Sequence, residues 1–326
     1  MLKDKNIILG ISGGIAAYKI ASLASSLKKE QALVDVIMTN NATKFITPLT
    51  FETLTGRKTM VDTFDRMFSF EVEHIETAKR AQAVLIAPAT ANIIAKLAHG
   101  LADDMLSTTV LAVTCPVLVA PSMNTRMFMN PIVQDNLKRL REYGFEIIPP
   151  DSGYLACGDT GAGKMPEPRV LLEYLKKALW EKKDLKGKRV LITSGPTMEA
   201  IDPVRFISNH STGKMGTELA KAAACRGAQV TLITGRTQEY IPDFIRRVDV
   251  VSAEEMYHRV MEHEQEADIV LGAAAVADYT PREQAEDKIK KGQGEWAIPL
   301  KRTRDILKEL AGAPRPGRFI CGFSME

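Results

Sequence analysis

Hydrophobic residues along this 326-residue chain come in short runs that alternate with amphipathic segments. Residues 7–12 form a nearly continuous apolar run, which predicts a strand buried on both faces of a parallel sheet. After Gly13 and Gly14, residues 15–30 repeat small and apolar side chains at the spacing of one helix face. These positions are Ala16, Ile20, Leu23 and Leu27.

The same alternation continues through the first half of the chain. Further apolar runs, separated by helix-length segments, predict strands at residues 32–39, 83–87, 116–120 and 145–149. Strands that alternate with helices are typical of right-handed βαβ units around a parallel sheet. The first half is therefore predicted to be a doubly wound α/β domain.

A charged stretch at residues 182–189 follows a predicted helix at 171–180 and is too polar to be core. Beyond it the α/β pattern starts again. The predicted strands cover residues 190–194, 228–234, 248–251 and 268–275, and the predicted helices cover 213–226 and 254–266. We therefore predict two doubly wound α/β domains, residues 1–186 and 187–326.

The last apolar run, residues 319–323, predicts a strand that no further helix follows. The sequence ends three residues later, at Glu326. Because parallel sheets are covered on both faces, we expect the second domain to be C-terminally incomplete and less stable than the first.

The composition and charge of the chain disfavour several classes of protein. The 43 Lys and Arg residues against 40 Asp and Glu leave a net charge of +3, without a long basic face that would favour nucleic acid or a membrane surface. The four cysteines lack Cys-x-x-Cys spacing, which favours reduced thiols in the cytoplasm over disulfides or a zinc site. With no targeting segment or membrane-length apolar run, we expect small molecules or copies of the same chain as partners.

Three loops of the first half follow predicted strands and carry residues suited to ligand binding. The turn Gly10-x-x-Gly13-Gly14 offers backbone amides to an anion, but its spacing is not the Gly-x-Gly-x-x-Gly of dinucleotide folds. Ligands of open α/β sheets gather where strands reach their carboxyl ends. The other two loops start at Thr39 and at Pro88, the latter with Ala89, Thr90 and Asn92. Each loop alone is equally compatible with a tight turn or a helix cap.

Residues 158–164 match Gly-x-x-x-x-Gly-Lys, the start of a phosphate-binding loop. Met165 stands where a Ser or Thr would bind magnesium, and Pro166 and Pro168 oppose the helix that should follow. We therefore predict a mobile glycine-rich loop instead, with Cys157 immediately before it on a flap able to close over a ligand.

Motifs in both halves resemble those of known enzyme families. His74, the run Pro121-Ser122-Met123-Asn124 and the segment around Cys157 resemble the signatures of flavin-dependent cysteine decarboxylases. The second half resembles phosphopantothenate–cysteine ligases at residues 194–205, 208–216, 273–278 and 288–291. Because the motifs occur in the same order as in that family, the whole chain is similar to the bacterial bifunctional enzymes of coenzyme A synthesis.

The resemblance implies a flavodoxin-like or Rossmann-like first domain that decarboxylates 4′-phosphopantothenoylcysteine, with FMN as the electron sink. FMN is expected at the three loops, on Gly13, Gly14, Thr39, Pro88, Ala89, Thr90 and Asn92. The resemblance also implies three catalytic roles. His74 would act as base, Asn124 would hold the substrate carboxylate, and Cys157 would protonate the intermediate after CO₂ leaves.

The same resemblance makes the second domain a Rossmann-like, CTP-dependent ligase that forms an acyl-cytidylate before cysteine attacks, with Mg²⁺ accompanying the triphosphate. Asn209 would hold the acyl-cytidylate, and Lys288 would neutralise charge on the phosphates. The expected nucleotide contacts are Gly272, Ala273, Ala274, Asp278, Asp305, Ile306 and Phe323. In the family's Asn-Pro-Asp-Ile-like loop, only Asp305 and Ile306 are retained here.

The resemblance further implies trimers of the flavin domain, with flavin sites at their interfaces, and dimers of the ligase domain. Two other functions remain as alternatives. A flavin-storing or regulatory protein of the same fold is disfavoured by the joint presence of His74, Asn124 and Cys157. An NAD(P) oxidoreductase is disfavoured because neither domain opens with the dinucleotide fingerprint.

Overall fold

The computed structural model describes residues 1–64, 73–154, 158–291 and 295–323. The chain divides into two compact units, Met1–Trp180 and Glu181–Glu326. The sequence pattern predicts the change of domain slightly later, near residue 186. In the structure, Leu185 already donates a 3.0 Å backbone hydrogen bond to Arg226 of the second unit, and Asp184 forms an ion pair with the same arginine.

A six-stranded parallel sheet forms the centre of the first unit. Its strands are β1 (Asn6–Ile11), β2 (Leu33–Met38), β3 (Thr59–Met60), β4 (Ala83–Ala89), β5 (Val117–Pro121) and β6 (Glu146–Ile147). They lie in the order β3-β2-β1-β4-β5-β6, so β1 pairs with β2 on one side and β4 on the other. The doubly wound fold is confirmed, and only the two-residue β3 has no counterpart in the predicted strands.

Helices surround this sheet in the described part of the first unit. They are α1 (Ala17–Lys29), α2 (Pro48–Thr55), α3 (Glu73–Arg80), α4 (Ala91–His99), α5 (Met105–Ala112), α6 (Thr125–Phe128), α7 (Pro131–Glu142) and α8 (Pro168–Leu179). In α1 the predicted face is buried against the sheet, with Ile20, Leu23 and Leu27 fully inaccessible. Among the helices that the structure describes, none has the length and apolar character needed to cross a membrane.

The strands β7 (Asp151–Tyr154) and β8 (Thr160–Lys164) pair antiparallel as a two-stranded hairpin. The prediction of a loop at residues 158–164 is therefore wrong for residues 160–164. This glycine-rich segment has no strand pattern of its own and becomes a strand because it pairs with β7. A helix also begins shortly afterwards, at Pro168, since proline fits the first helical position. Cys157 lies outside the described residues.

The second unit repeats the same plan. Along the chain its strands are β9 (Arg189–Ser194), β10 (Met198–Ala200), β11 (Phe206–Ser208), β12 (Gln229–Thr234), β13 (Arg246–Asp249), β14 (Ile269–Gly272), β15 (Tyr279–Pro281), β16 (Leu300–Arg302) and β17 (Phe319–Gly322). Five of them form a parallel sheet in the order β13-β12-β9-β14-β17, while β10 pairs with β11 and β15 with β16 in antiparallel hairpins. The predicted strand at 268–275 ends early, at Gly272, because Ala275 instead bonds to the loop after β9.

Three helices pack against this sheet within the described residues: α9 (Lys214–Cys225), α10 (Ala253–His263) and α11 (Ile306–Gly312). Ile306 and Leu310 of α11 are buried in a core that includes Val270 of β14. Leu307 lies so close to Gly272 and Gly322 that a Cβ on either glycine would meet it within 3 Å. One face of β14 and β17 is thus covered by a helix that precedes β17, while Phe319 of β17 is 60% exposed. The expectation of a last strand without helical cover is therefore wrong for one face only.

Gly216 and Gly312 are helical glycines with opposite surroundings. A Cβ on Gly216 would lie 2.5 Å from the Cβ of Ser194, whereas a Cβ on Gly312 would have nothing within 4 Å. We expect Gly216→Ala to destabilise the second unit by about 1–3 kcal/mol through overpacking. Gly312→Ala should stabilise it by about 0.5–1 kcal/mol through helix propensity. Calorimetric unfolding of the full chain measures both, and equal effects would contradict this packing.

Candidate functional sites

A cavity of about 560 Å³ lies where strands of the first sheet reach their carboxyl ends, a volume typical of small-molecule sites. The loops after β1, β4 and β5 line it together with the β7–β8 hairpin. The lining residues are Gly13, Gly14, Ile15, Ala16, Tyr18, Lys19, Thr90, Ala91, Ser122, Met123, Asn124, Met127, Tyr154, Gly163, Lys164 and Met165. Three loops far apart in the sequence therefore share one cavity.

Ser12 ties two of these loops together. Its hydroxyl donates to the Pro88 carbonyl at 2.7 Å and accepts from the Thr90 backbone amide at 3.0 Å. Ser12 is only 2% exposed, so these hydrogen bonds are shielded from water. The neighbouring Gly13 approaches the loop after β2 so closely that a Cβ would lie 2.4 Å from the Cβ of Asn41. Glycine is thus required where the loops after β1 and β2 meet.

The N-terminus of α1 contributes Gly14, Ile15 and Ala16 to this cavity, and no described side chain caps it. Side-chain caps at other described helices come from Thr90, Asp104, Asn124, Asn130, Ser252 and Asp305. In the second unit, α9 begins after Gly213, and the Thr212 hydroxyl accepts from the N–H of its first residue, Lys214, at 3.4 Å. An uncapped helix start keeps unpaired N–H groups and a partial positive charge, which suit an anion.

Asn124 stands at the start of α6, facing the hairpin. Its Oδ1 accepts from the Arg126 backbone N–H at 2.8 Å, and its Nδ2 donates to Asp159 Oδ2 at 2.6 Å. The hairpin contacts the same loop through Gly163, whose carbonyl accepts from Met123 N–H at 3.0 Å. Gly163 has a φ of +125°, and a Cβ there would lie 2.4 Å from the Met123 carbonyl oxygen, so only glycine fits. The hairpin is thereby held against the loop that presents Asn124.

The structure brings some of the predicted residues of the first site together and separates others. Gly13, Gly14, Thr90 and Asn124 line one cavity. Thr39, Pro88, Ala89 and Asn92 lie on the adjoining strand ends and loops but outside that lining. His74 is half-buried in α3, also outside the lining, and the predicted Cys157 belongs to the residues that are not described.

A second cavity, of about 740 Å³, lies in the second unit between the ends of β9 and β14, the β15–β16 hairpin and α11. Its lining includes six of the predicted nucleotide contacts: Gly272, Ala274, Asp278, Asp305, Ile306 and Phe323. The seventh, Ala273, lies beside it and donates its backbone N–H to Thr193 at 3.2 Å. The described residues contain no group of three or more His, Cys, Asp or Glu placed to hold a metal ion.

The loop at residues 303–305 forms one wall of this second cavity. Thr303 donates its hydroxyl to the Ala277 carbonyl at 2.6 Å, and Asp305 Oδ1 accepts from the Lys308 N–H at 2.9 Å, which caps α11. The Arg304 guanidinium lies 4.6 Å from the centroid of the Tyr257 ring. The Tyr257 hydroxyl donates to a Glu309 carboxylate oxygen at 2.5 Å, and this hydrogen bond raises the pKa of Tyr257.

Asn209 and Lys288 lie outside the lining of the second cavity. Asn209 is nevertheless adjacent to it, because its Nδ2 donates to the Ala275 carbonyl at 3.1 Å. Lys288 is exposed, and its neighbour Ile289 donates its backbone N–H to Asp202 Oδ2 at 3.2 Å. Asn209 is thus beside the second cavity, whereas Lys288 is tied through its neighbour to Asp202.

Several residues of both cavities were missed by reasoning from the sequence. The first cavity includes Tyr18, Lys19, Met127 and Lys164, and the second includes Thr193, Tyr279, Arg302 and Lys308. Most lie within a few positions of a predicted motif. Proximity to the end of a predicted strand was therefore the signal that could have found them.

Fold and cavities define a chain of two doubly wound domains, each with a ligand-sized cavity, and comparison with known proteins shows the family of both. A family model described as Flavoprotein matches residues 1–179. A second, described as DNA/pantothenate metabolism flavoprotein C-terminal domain, matches residues 185–326. The chain belongs to the family of bifunctional coenzyme A biosynthesis proteins, as its similarity to whole proteins of that family shows.

Two such relatives are the coenzyme A biosynthesis bifunctional proteins CoaBC of Haemophilus influenzae and Bacillus subtilis, each 45% identical to this chain. Each alignment covers 100% of this chain and 81% of the relative. Among solved structures, the FMN-dependent cysteine decarboxylase SpaF is 30% identical, with a TM-score of 0.48. That similarity covers 55% of this chain and 97% of the solved one.

Asp202, which accepts from Ile289 next to Lys288, offers a test of how far a buried ion pair stabilises the second unit. The Arg205 guanidinium holds the pKa of the buried Asp202 carboxyl well below its usual range, so the carboxylate stabilises the folded unit at neutral pH. We expect Asp202→Asn to lower the unfolding temperature more than Asp184→Asn, which removes only a half-exposed ion pair with Arg226.

The pH dependence of this effect has a definite sign. Because the folded-state pKa of Asp202 lies below the unfolded value of about 3.9, its stabilisation is present above that value and is lost as the pH falls toward the folded-state pKa. The difference in unfolding temperature between the parent chain and Asp202→Asn should therefore narrow from pH 7 to pH 3. Circular dichroism at both pH values measures it, and a constant difference would contradict the ionised pair.

Proposed function

We propose that this chain is a bifunctional enzyme of coenzyme A synthesis. The second unit ligates cysteine to 4′-phosphopantothenate with CTP, and the first decarboxylates the resulting 4′-phosphopantothenoylcysteine with FMN. One observation carries this proposal: 45% identity to bifunctional relatives spans the whole chain. Each half also has its own ligand-sized cavity, lined by residues that its motifs predict.

The first cavity fits FMN in charge and in shape. The uncapped start of α1, at Ile15 and Ala16, offers backbone amides to the phosphate. Apolar side chains such as Ile15 and Met127 offer surfaces for a ring system, and the described lining contains no Asp or Glu that would repel an anion. When bound, FMN supplies reversible oxidation of the thiol-bearing carbon, which creates an electron sink for the departing CO₂.

Asn124 is the residue best placed to bind the substrate carboxylate in this cavity. Its Oδ1 is fixed by the Arg126 N–H, which leaves Nδ2 as the donor toward the hairpin. A bound carboxylate takes the place of Asp159 as acceptor of that donor. Cys157, between β7 and β8 in the sequence, supplies the late proton, and His74 acts as the base.

A second copy of the flavin domain completes this site in our proposal. His74 lies outside the cavity lining of its own chain. Ile15 and Tyr18 line the cavity and are 56% and 59% exposed, which leaves apolar surface for another chain to cover. These features support trimers with flavin sites at their interfaces, and dimers of the ligase domain then link the trimers.

In our proposal the second cavity holds the nucleotide, and positively charged groups around it bind the triphosphate. The start of α9 behind Gly213 and the exposed Lys288 provide positive potential near the phosphates, and Mg²⁺ balances the phosphate charge. Asn209, tied to the Ala275 carbonyl beside the cavity, positions the acyl-cytidylate. Attack by cysteine on this activated acyl group forms the amide and releases CMP.

Activity of the purified full chain tests both halves. We expect bound FMN, CO₂ release from 4′-phosphopantothenoylcysteine, and pyrophosphate release from CTP that requires 4′-phosphopantothenate and Mg²⁺. Absorption spectroscopy, CO₂ trapping and a pyrophosphate assay measure these three properties. Flavin binding without CO₂ release would favour the storage protein, and absence of pyrophosphate release would contradict the ligase assignment.

Asn124 and Asn130 provide a matched pair for the decarboxylase site, since both cap helices through Oδ1. Asn124→Asp keeps the cap but replaces the amide donor with a negative charge that faces Asp159 and the substrate carboxylate. We expect its kcat/KM for decarboxylation to fall at least about 100-fold, the equivalent of about 2.7 kcal/mol. Asn130→Asp, at an exposed helix start, should leave the rate unchanged. Equal rates for the two variants would contradict the carboxylate role.

A further inference from the structure

Arg205 links the body of the second unit to the segment that carries Lys288. Its Nη2 lies 2.5 Å from Asp202 Oδ2 and donates to the Ile289 carbonyl at 2.9 Å. Asp202 in turn accepts from the Ile289 N–H at 3.2 Å. Both backbone polar groups of Ile289 are therefore held by one side-chain pair, much as a neighbouring strand would hold them.

Trp296, in the segment between β15 and β16, contacts Arg205. The Arg205 Cζ lies 4.7 Å from the centroid of a Trp296 ring, in the range of a cation–π contact. A guanidinium that stacks on an aromatic face keeps its N–H groups in plane for hydrogen bonds to other partners. The stack and the bonds to Asp202 and Ile289 are thus compatible, and together they fix the plane of the guanidinium.

Without the ring, Arg205 would lose a restraint on its orientation. The Arg205 side chain is 38% exposed and Trp296 is 51% exposed, so neither is immobilised by full burial. Asp202 Oδ2 accepts from both Nε and Nη2 of Arg205, at 2.9 and 2.5 Å, whereas a single N–H bond reaches the Ile289 carbonyl and depends on the angle of the guanidinium. Loss of the ring should therefore weaken the contact to Ile289 more than the ion pair.

We propose that Trp296 is a positioning residue of the ligase site, which orients Arg205 and through Ile289 fixes the adjacent Lys288 toward the triphosphate. The inference rests on the proposed ligase function. It assigns Trp296 an effect on CTP binding that passes through Lys288, while the decarboxylase in the first unit is unaffected. No sequence motif pairs these residues, because Arg205 and Trp296 lie on separate segments of the second unit.

A double-mutant cycle on the full-length chain tests this coupling. We expect Trp296→Ala to raise the KM for CTP about two- to tenfold, as the loss of a partly exposed cation–π contact implies. Trp296→Phe, which keeps an aromatic face, should restore most of the affinity. In a Lys288→Met background, Trp296→Ala should cause no further increase. The decarboxylation rate of the same preparations should stay constant and serves as the control for folding.

Two results would overturn the positioning role. One is an unchanged KM for CTP in Trp296→Ala. The other is that Trp296→Ala raises this KM by the same factor in the parent chain and in the Lys288→Met background. Trypsin cleavage at Lys288, Lys290 and Lys291 gives a readout that needs no catalysis. Cleavage should be faster in Trp296→Ala than in Trp296→Phe, and equal rates would also refute the inference. A parent chain without pyrophosphate release contradicts the proposed ligase, whereas these cleavage rates still decide whether Trp296 restrains the segment.

Discussion

Parallel pairing of one central strand with a neighbour on either side is the constraint on which both sites depend. In the first sheet β1 lies between β2 and β4, and in the second β9 lies between β12 and β14. At such a point the connections leave toward opposite faces, so a crevice opens at the carboxyl ends of the strands. The helix α1 begins at the first crevice without a described side-chain cap, whereas the Thr212 hydroxyl accepts from the first N–H of α9 at 3.4 Å. The topology therefore places a helix start beside the central strand of each sheet, and the start of α1 keeps the free amides that suit an anion.

Elements outside the two parallel sheets give each crevice its own chemistry. In the first unit the β7–β8 hairpin approaches the start of α6, where Gly163 contacts Met123 and Asp159 accepts from Asn124. In the second unit the β15–β16 hairpin and α11 form a wall with Asp278 and Asp305. The first site thus contains a side-chain amide donor, and the lining of the second contains two carboxylates. Two similar frameworks can therefore support different reactions, because the reacting groups come from added segments.

The sequence predictions are accurate where neighbouring residues specify the structure, and they fail where residues far apart in the sequence do. β1 and α1 were predictable because burial on both faces, or on one face, leaves a pattern within a few residues. The strand β8 was not, since its Thr-Gly-Ala-Gly-Lys sequence has no such pattern and its hydrogen bonds come from β7. Asn124 and Asp278, which the family resemblance predicts as site residues, line the two cavities. The contact between Arg205 and Trp296 could not be predicted, because nothing local in either segment specifies it.

The loop at residues 303–306 shows how a site can tolerate departure from a family pattern. Only Asp305 and Ile306 are retained there, yet the loop is anchored by a Thr303 hydroxyl bond to Ala277 and by the Asp305 cap of α11. Arg304 adds a cation to the cavity wall, but its guanidinium stacks on Tyr257 and lies 3.7 Å from Glu254. The added charge is therefore partly balanced and held against the wall by its own neighbours. The position of Asp305 and the start of α11 thus depend on hydrogen bonds that different residues can supply.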